Sequence, residues 1–277
     1  MRMRSARATF AAGAWLLAGT LLAAAHGDGE PRAAPFDEKQ ALKISQDAIG
    51  RTVGSHAFVD SAGNPVDIAD FKGKPLVISL IYTSCDHVCP LITEHVRRAA
   101  RMGQKALGEE TFNIVTIGFD AKADTPERMR LYGKQHGVNL ANWRLLSGDA
   151  ETIHRLSDEL GFIYYPTPGG FDHLAQTTIL DAEGTVYRQI YGESFAAPHF
   201  VEPLKDLVFG RVRDFTTITG IANRIRLFCT LYDPRDDRYY FDYSVFIGMI
   251  IGALSLGGVG VIVTRNVWRL WRQGGAT

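Results

Sequence analysis

Cysteine is scarce in this sequence. Three thiols in 277 residues exclude a fold held by a dense set of disulfides. An imbalance of charge is missing as well. Lys and Arg total 30, and Asp and Glu total 30, so no basic excess is available for a phosphate backbone and nucleic acid is not the expected partner. Internal repeats are absent. The remaining composition, 46% apolar and 22% charged, is that of an ordinary globular protein, which excludes wholesale disorder and collagen-like repeats. The chain is long enough to bury a core without staples.

Charge is also missing locally, at the two ends. Arg2, Arg4 and Arg7 precede an uncharged run from Ala8 to Ala25 that closes on Ala23-Ala24-Ala25. This pattern predicts a cleavable export signal over residues 1–25. The run from Ser244 to Thr264 carries no charge either and matches the roughly 20 residues that a helix needs to cross a bilayer. Tyr239, Tyr240 and Tyr243 precede it, Trp268 and Trp271 follow it, and Arg265, Arg269 and Arg272 lie beyond. Aromatic belts and the positive-inside rule then predict a single-pass inner-membrane protein. Its main domain faces the periplasm, and residues 265–277 form a cytoplasmic tail.

Between these ends, residues 26–48 read as a linker, rich in Ala, Pro and charge. A core is expected over residues 49–210. Leu76 to Tyr82 is a continuous apolar run, the mark of a strand buried on both faces. Phe112 to Phe119 is a second such strand, and Trp143 to Leu146 a third. A helix is expected from Leu91 to Leu107, with Pro90 in its first turn. Thr125 and Asp149 cap two more, which stop at Gly137 and Gly161. Ala175–Leu180 and Thr185–Tyr191 form a hairpin through Asp181-Ala182-Glu183-Gly184, and Pro198–Val208 is a closing helix. The alternation predicts an α/β fold: a mixed sheet with helices on both faces. Over 211–232, Phe215, Ile218, Ile221, Ile225 and Phe228 keep helical spacing, so residues 211–243 are expected to be a helical extension toward the membrane.

Chemistry concentrates where the first buried strand ends, in Thr83-Ser84-Cys85-Asp86-His87-Val88-Cys89-Pro90. Open α/β sheets place ligands at the carboxyl ends of their strands. The helix that follows lowers the pKa of a thiol at its N-terminus. Thiolate is both a nucleophile and a metal ligand, so redox chemistry and metal binding are both open. A stapling disulfide between Cys85 and Cys89 would close too short a loop to remove much chain entropy. For a metal, a third ligand is needed. His173 is the candidate if the sheet is thioredoxin-like, because the Gly/Pro-rich loop Pro166–His173 then faces the cysteine turn. His87, inside the turn, is its rival. Asp86 is a possible auxiliary ligand, and Asp172 could orient His173. Two sulfurs and one nitrogen suit copper, since soft thiolates favour Cu(I) and imidazole suits either oxidation state. Zinc would accept the same set. Cys229 reads as a buried apolar residue near the membrane.

Tyr82-Thr83-Ser84-Cys85-x-x-x-Cys89-Pro90, Phe119-Asp120 through Asp124-Thr125-Pro126, Asp172-His173, Ile179-Leu180-Asp181-x-x-Gly184 and Tyr191-Gly192 occur in this order. Together they resemble the Sco/SenC family over roughly residues 50–210. The resemblance implies a membrane-tethered, thioredoxin-like copper protein that helps assemble the dinuclear copper centre of cytochrome c oxidase subunit II. It implies Cys85, Cys89 and His173 as copper ligands. The sequence departs from the family's pattern in three ways: Asp86 stands where Pro is frequent, Asp120-Ala121 replaces Asp-Pro, and the anchor is C-terminal. These departures leave another exported cuproprotein possible as recipient. The alternative function is thiol–disulfide exchange through a Cys85–Cys89 disulfide on an exported partner.

Overall fold

The structure, a computed structural model, describes residues 36–209, 230–233 and 238–274. The export signal, residues 26–35 of the expected linker, Cys229 and nearly all of the helix expected over 211–232 lie outside the described residues.

The first element corrects the linker. Glu38–Asp47 forms helix α1, begun by Asp37, whose carboxylate accepts from the N–H groups of Lys39 (3.0 Å) and Gln40 (3.1 Å). Its buried stripe is made of Ala41, Ser45 and Ala48. These residues are too small to register as an apolar face, although they recur at helical spacing. Small side chains let α1 lie close to the body. The Ser45 hydroxyl donates to Gln176 Oε1 at 2.6 Å, and the Gln176 and Gln189 amides both donate to the Leu160 carbonyl.

Next come β1 (Ala57–Asp60), β2 (Pro65–Asp67), a 3-10 turn (Ile68–Phe71), β3 (Leu76–Ile81), α2 (Val88–Leu107), β4 (Asn113–Gly118), α3 (Pro126–Gln135), β5 (Trp143–Ser147) and α4 (Ala150–Leu160). They are followed by β6 (Tyr164–Thr167), β7 (Gly170–His173), β8 (Gln176–Leu180), β9 (Val186–Tyr191) and α5 (Ala197–Phe209). Seven strands form one sheet in the order β2-β1-β5-β4-β3-β8-β9. The central strands β3, β4 and β5 are parallel, and the outer pairings are antiparallel. This is the mixed sheet that the sequence predicts.

All six residues of β3 are buried, as their uninterrupted apolar run requires. One face packs Val77, Ile114 and Ile179 against Val96 and Ala100 of α2 and Phe200 and Leu204 of α5. The other face packs Ile78, Leu80, Val115 and Ile117 against Ile153, Leu156 and Leu160 of α4. Two expectations change. The Gly/Pro-rich loop is a hairpin: β6 and β7 pair antiparallel, with Tyr164 opposite His173 and Thr167 opposite Gly170. The described part of the expected helical extension is also a hairpin, β10 (Thr230–Asp233) with β11 (Arg238–Phe241). The consecutive aromatics Tyr239-Tyr240-Phe241 of β11 are residue types enriched in strands. A final helix, α6 (Ser244–Gly274), contains one apolar span, Ser244–Arg269, of mean hydropathy 2.3, none of it buried against the rest of the protein.

Helix α4 ends at Gly161, whose φ is +65° and whose Cβ position lies 2.7 Å from the Ile44 carbonyl oxygen of α1. Gly161→Ala is expected to cost about 1–3 kcal/mol, combining left-handed strain with overpacking. It should lower the urea midpoint accordingly, and an unchanged midpoint would show that α1 does not dock here.

Candidate metal and thiol site

The carboxyl ends of β3 and β4 carry two loops, and a single buried carboxylate ties them together. Asp124, 2% exposed, accepts from the Thr83 N–H (2.8 Å) and the Thr83 hydroxyl (2.7 Å) on one oxygen, and from the Asp120 N–H (2.9 Å) on the other. Burial nonetheless raises its pKa above the usual carboxylate range. Gly118 makes room for it, since a Cβ there would sit 2.4 Å from the Asp124 Cβ. The sequence marks Asp124 only by its place in the Asp120–Pro126 segment, directly before the cap of α3.

Thr83 thus anchored, the chain turns. The Cys85 N–H donates to the Tyr82 carbonyl at 3.1 Å, and α2 begins at Val88 with His87 at its N-cap. Cys85 is half-buried and Cys89 fully buried, both as free thiols. The Cys89 N–H donates to Cys85 Sγ at 3.4 Å. The two sulfurs have opposite acidities. Cys85 is lowered to about 4, chiefly because the Cys89 thiol hydrogen-bonds to it. The N–H groups of Cys89 and His87 and the Tyr82 hydroxyl add to this, while burial opposes it. Cys89 is raised by that same bond with Cys85 and by burial. The pair therefore holds one thiolate and one thiol at neutral pH. Tyr82, desolvated and next to that thiolate, is raised to about 12.

His173 arrives on the β6–β7 hairpin, which an aromatic cluster seats on the end of the sheet. Phe119 lies at the centre, with ring centroids 5.3 Å from Tyr82, 5.3 Å from Phe162, 4.9 Å from Tyr164, 5.2 Å from Phe171 and 5.3 Å from His173. Such ring pairs contribute about 0.5–1.5 kcal/mol each beyond burial. His173 Nδ1 lies 3.1 Å from the Leu174 carbonyl oxygen. A carbonyl only accepts, so Nδ1 carries the proton and the Nε2 lone pair is left to bind. Burial lowers the His173 pKa, which keeps the ring neutral, against that hydrogen bond and the nearby Cys85 charge. The partner expected for His173, Asp172, does not perform this role. It is exposed and lines the same cavity as His173, while the Leu174 carbonyl takes the Nδ1 proton.

Cys85 and His173 line one open cavity of about 580 Å³, together with Tyr82, Val88 and Phe171. Cys89 lies behind Cys85, in the core. Asp86 and His87 are exposed and do not line the cavity, so His87 is not brought toward His173. Among the described residues, no three Cys, His, Asp or Glu side chains are already drawn together around a point. The donor set suits a soft cation: a thiolate, a second sulfur and an imidazole with Nε2 unengaged.

Iodoacetamide should alkylate Cys85 first. Its rate should stay flat from pH 8 to about pH 5 and fall only as pH nears the depressed pKa, because the reactive thiolate persists above that value. An inflection near pH 8.5 followed by mass spectrometry, or prior labelling of Cys89, would refute the assignment of the two sulfurs.

Comparison with known proteins places this geometry. The SCO1/SenC family model matches residues 45–208, more than half of the chain. Protein sco1 of Schizosaccharomyces pombe is 26% identical over 167 residues, covering 58% of this chain and 62% of the relative. The SCO1 protein homolog of Bacillus subtilis is 25% identical over 109 residues, covering 39% of this chain and 54% of the relative. The match thus spans less than two thirds of the length of these relatives. A crystal structure from Aquifex aeolicus VF5 superimposes with a TM-score of 0.52 at 30% identity, covering 57% of this chain and 92% of that one. The fold is the thioredoxin-like mixed sheet of Sco structures. By the extent of the family match, the chain belongs to the SCO1/SenC family.

Proposed function

We propose that the chain is a membrane-anchored copper carrier that takes copper at Cys85, Cys89 and His173 and passes it to an exported partner. Cytochrome c oxidase subunit II, with its dinuclear copper centre, is the leading recipient. The observation that carries this reading is the shared cavity, where the Cys85 thiolate and the unprotonated Nε2 of His173 face one space open to solvent. Copper is cargo here, so the protein needs no catalytic residue. A three-coordinate site leaves the ion open to a partner's thiols or imidazoles, and ligands exchange one at a time. α6 would hold the domain at the inner membrane on its periplasmic side, consistent with an unburied apolar span.

A second reading draws on a specific observation, the pairing of a half-exposed thiolate with a buried thiol. In this reading the Cys85 thiolate attacks a partner disulfide and forms a mixed disulfide. Cys89 then loses its proton and displaces the partner. The products are a Cys85–Cys89 disulfide and a reduced partner dithiol. The two readings are compatible, because a recipient must be reduced before metal enters its cysteines.

The titration states set the pH dependence. Cys85 is already ionised and His173 already neutral near pH 7, whereas Cys89 must release a proton to bind. Cu(I) affinity should therefore rise about tenfold per pH unit between pH 6.5 and 8. A flat profile in an anaerobic competition titration would mean that Cys89 is not a ligand. His173→Ala should weaken Cu(I) binding by about a hundredfold or more, at a modest cost in thermal stability from its lost ring contacts, while the native circular dichroism and disulfide exchange with a model substrate are retained. Undiminished copper affinity in that variant, with rapid cycling of the disulfide, would favour the oxidoreductase.

A further inference from the structure

The parallel strands β3, β4 and β5 all start at one pole of the domain and end at the other. Cys85 and Asp124 lie in the loops at the finishing pole. α2 returns along the same axis, from Val88 beside the cysteines to Leu107. At 1.5 Å per residue its 20 residues span about 30 Å. The β10–β11 hairpin meets α2 at the starting pole. Tyr239 packs into the core cluster that contains Val96, Ala100 and Leu107 of α2. Tyr239, Tyr240, Phe241 and Tyr243 share a recess with Lys105, Ala106 and Gly108.

Only Asp242 and Tyr243 separate β11 from α6. Asp242 caps α6, its carboxylate accepting from the Ser244 N–H (2.9 Å) and hydroxyl (2.8 Å). Residues this close to an apolar span lie at headgroup depth, where Tyr and Trp rings are enriched. The rings here also touch one another: Phe241 lies 4.9 Å from Tyr243 and 5.9 Å from Phe246, and Tyr232 lies 5.3 Å from Tyr239. Among the described residues, the rest of this pole is polar, with Lys74, Glu109, Glu110, Asn139 and Asn142 around a second recess. These charges are of both signs, and the rings are the feature suited to attachment.

We propose that the β10–β11 hairpin is a brace that seats the starting pole of the domain on the bilayer and holds the cysteine pole away from it, at the far end of α2. This rests on reading α6 as a membrane span. It makes the domain an upright post instead of a ball on a tether. A partner must then present its acceptor from a domain that itself rises about 30 Å from the same membrane.

The test uses full-length protein in phosphatidylcholine vesicles carrying headgroup spin-labelled lipid. Single fluorophores are placed at Glu110→Cys or Ser84→Cys in a chain with Cys85→Ser, Cys89→Ser and Cys229→Ser, each checked for native circular dichroism. Flotation with the vesicles comes first, and failure to float would overturn the membrane reading together with the brace. Given flotation, the Glu110 label should be quenched several-fold more than the Ser84 label, with no dependence on salt. Adding Tyr239→Ala should abolish that difference while the protein still floats. Equal quenching at the two poles with Tyr239 intact would overturn the brace and leave the anchor standing. A difference that survives Tyr239→Ala would overturn the hairpin as its cause.

Discussion

The site depends on a carboxylate that never reaches solvent. Asp124 joins the loop after β3 to the loop after β4 through three hydrogen bonds from Thr83 and Asp120. Two of these donors are backbone N–H groups with no other partner in the turn. Losing a hydrogen-bond partner inside a protein costs about 1–3 kcal/mol per orphaned group, so the two loops are fixed relative to each other by one residue. Everything downstream inherits that fixation. Thr83 sets where the chain leaves the sheet, and that exit sets how Cys85 meets the first turn of α2. The Cys89 N–H and thiol then settle on Cys85 Sγ. The acidity of Cys85 follows from donors already aimed at it and needs no neighbouring cation.

The aromatic cluster plays the corresponding part for His173. A hairpin of four-residue strands is marginal alone. Phe119, rising from the end of β4, gives β6 and β7 a surface to rest on. Phe171 and His173 share one face of β7, so the packing that buries Phe171 also delivers the imidazole. A backbone carbonyl then selects the tautomer. The position of His173 is therefore secured by hydrophobic packing, and only its final orientation by a polar contact.

Much of this was legible in the sequence because it follows from strong periodic signals. β3 and β4 are continuous apolar runs, α3 and α4 carry Thr125 and Asp149 as caps, and the β8–β9 turn carries Asp181 and Gly184. The two cysteines announced the site by their place between a buried strand and a helix. The misses share a cause: pattern rules weigh large apolar side chains and disregard small ones. α1 docks through Ala41, Ser45 and Ala48, so it passed for a linker. The Pro166–His173 segment has the composition of a loop, yet cross-strand partners and the Phe119 platform make it a hairpin. Helical spacing upstream was carried on into residues 230–241, where β10 and β11 pair and Tyr239 packs against the core beside α2. Asp124 stood in a motif but its role did not show, because its value lies in contacts made 41 residues away.

The unequal burial of the two sulfurs has a further consequence. Cys85 borders the cavity, while Cys89 is 0% exposed. Any visitor with bulk, whether a thiol reagent, a peroxide or a partner's side chain, touches Cys85 alone. The cavity therefore decides which sulfur a reactant meets before the chemistry of either is engaged.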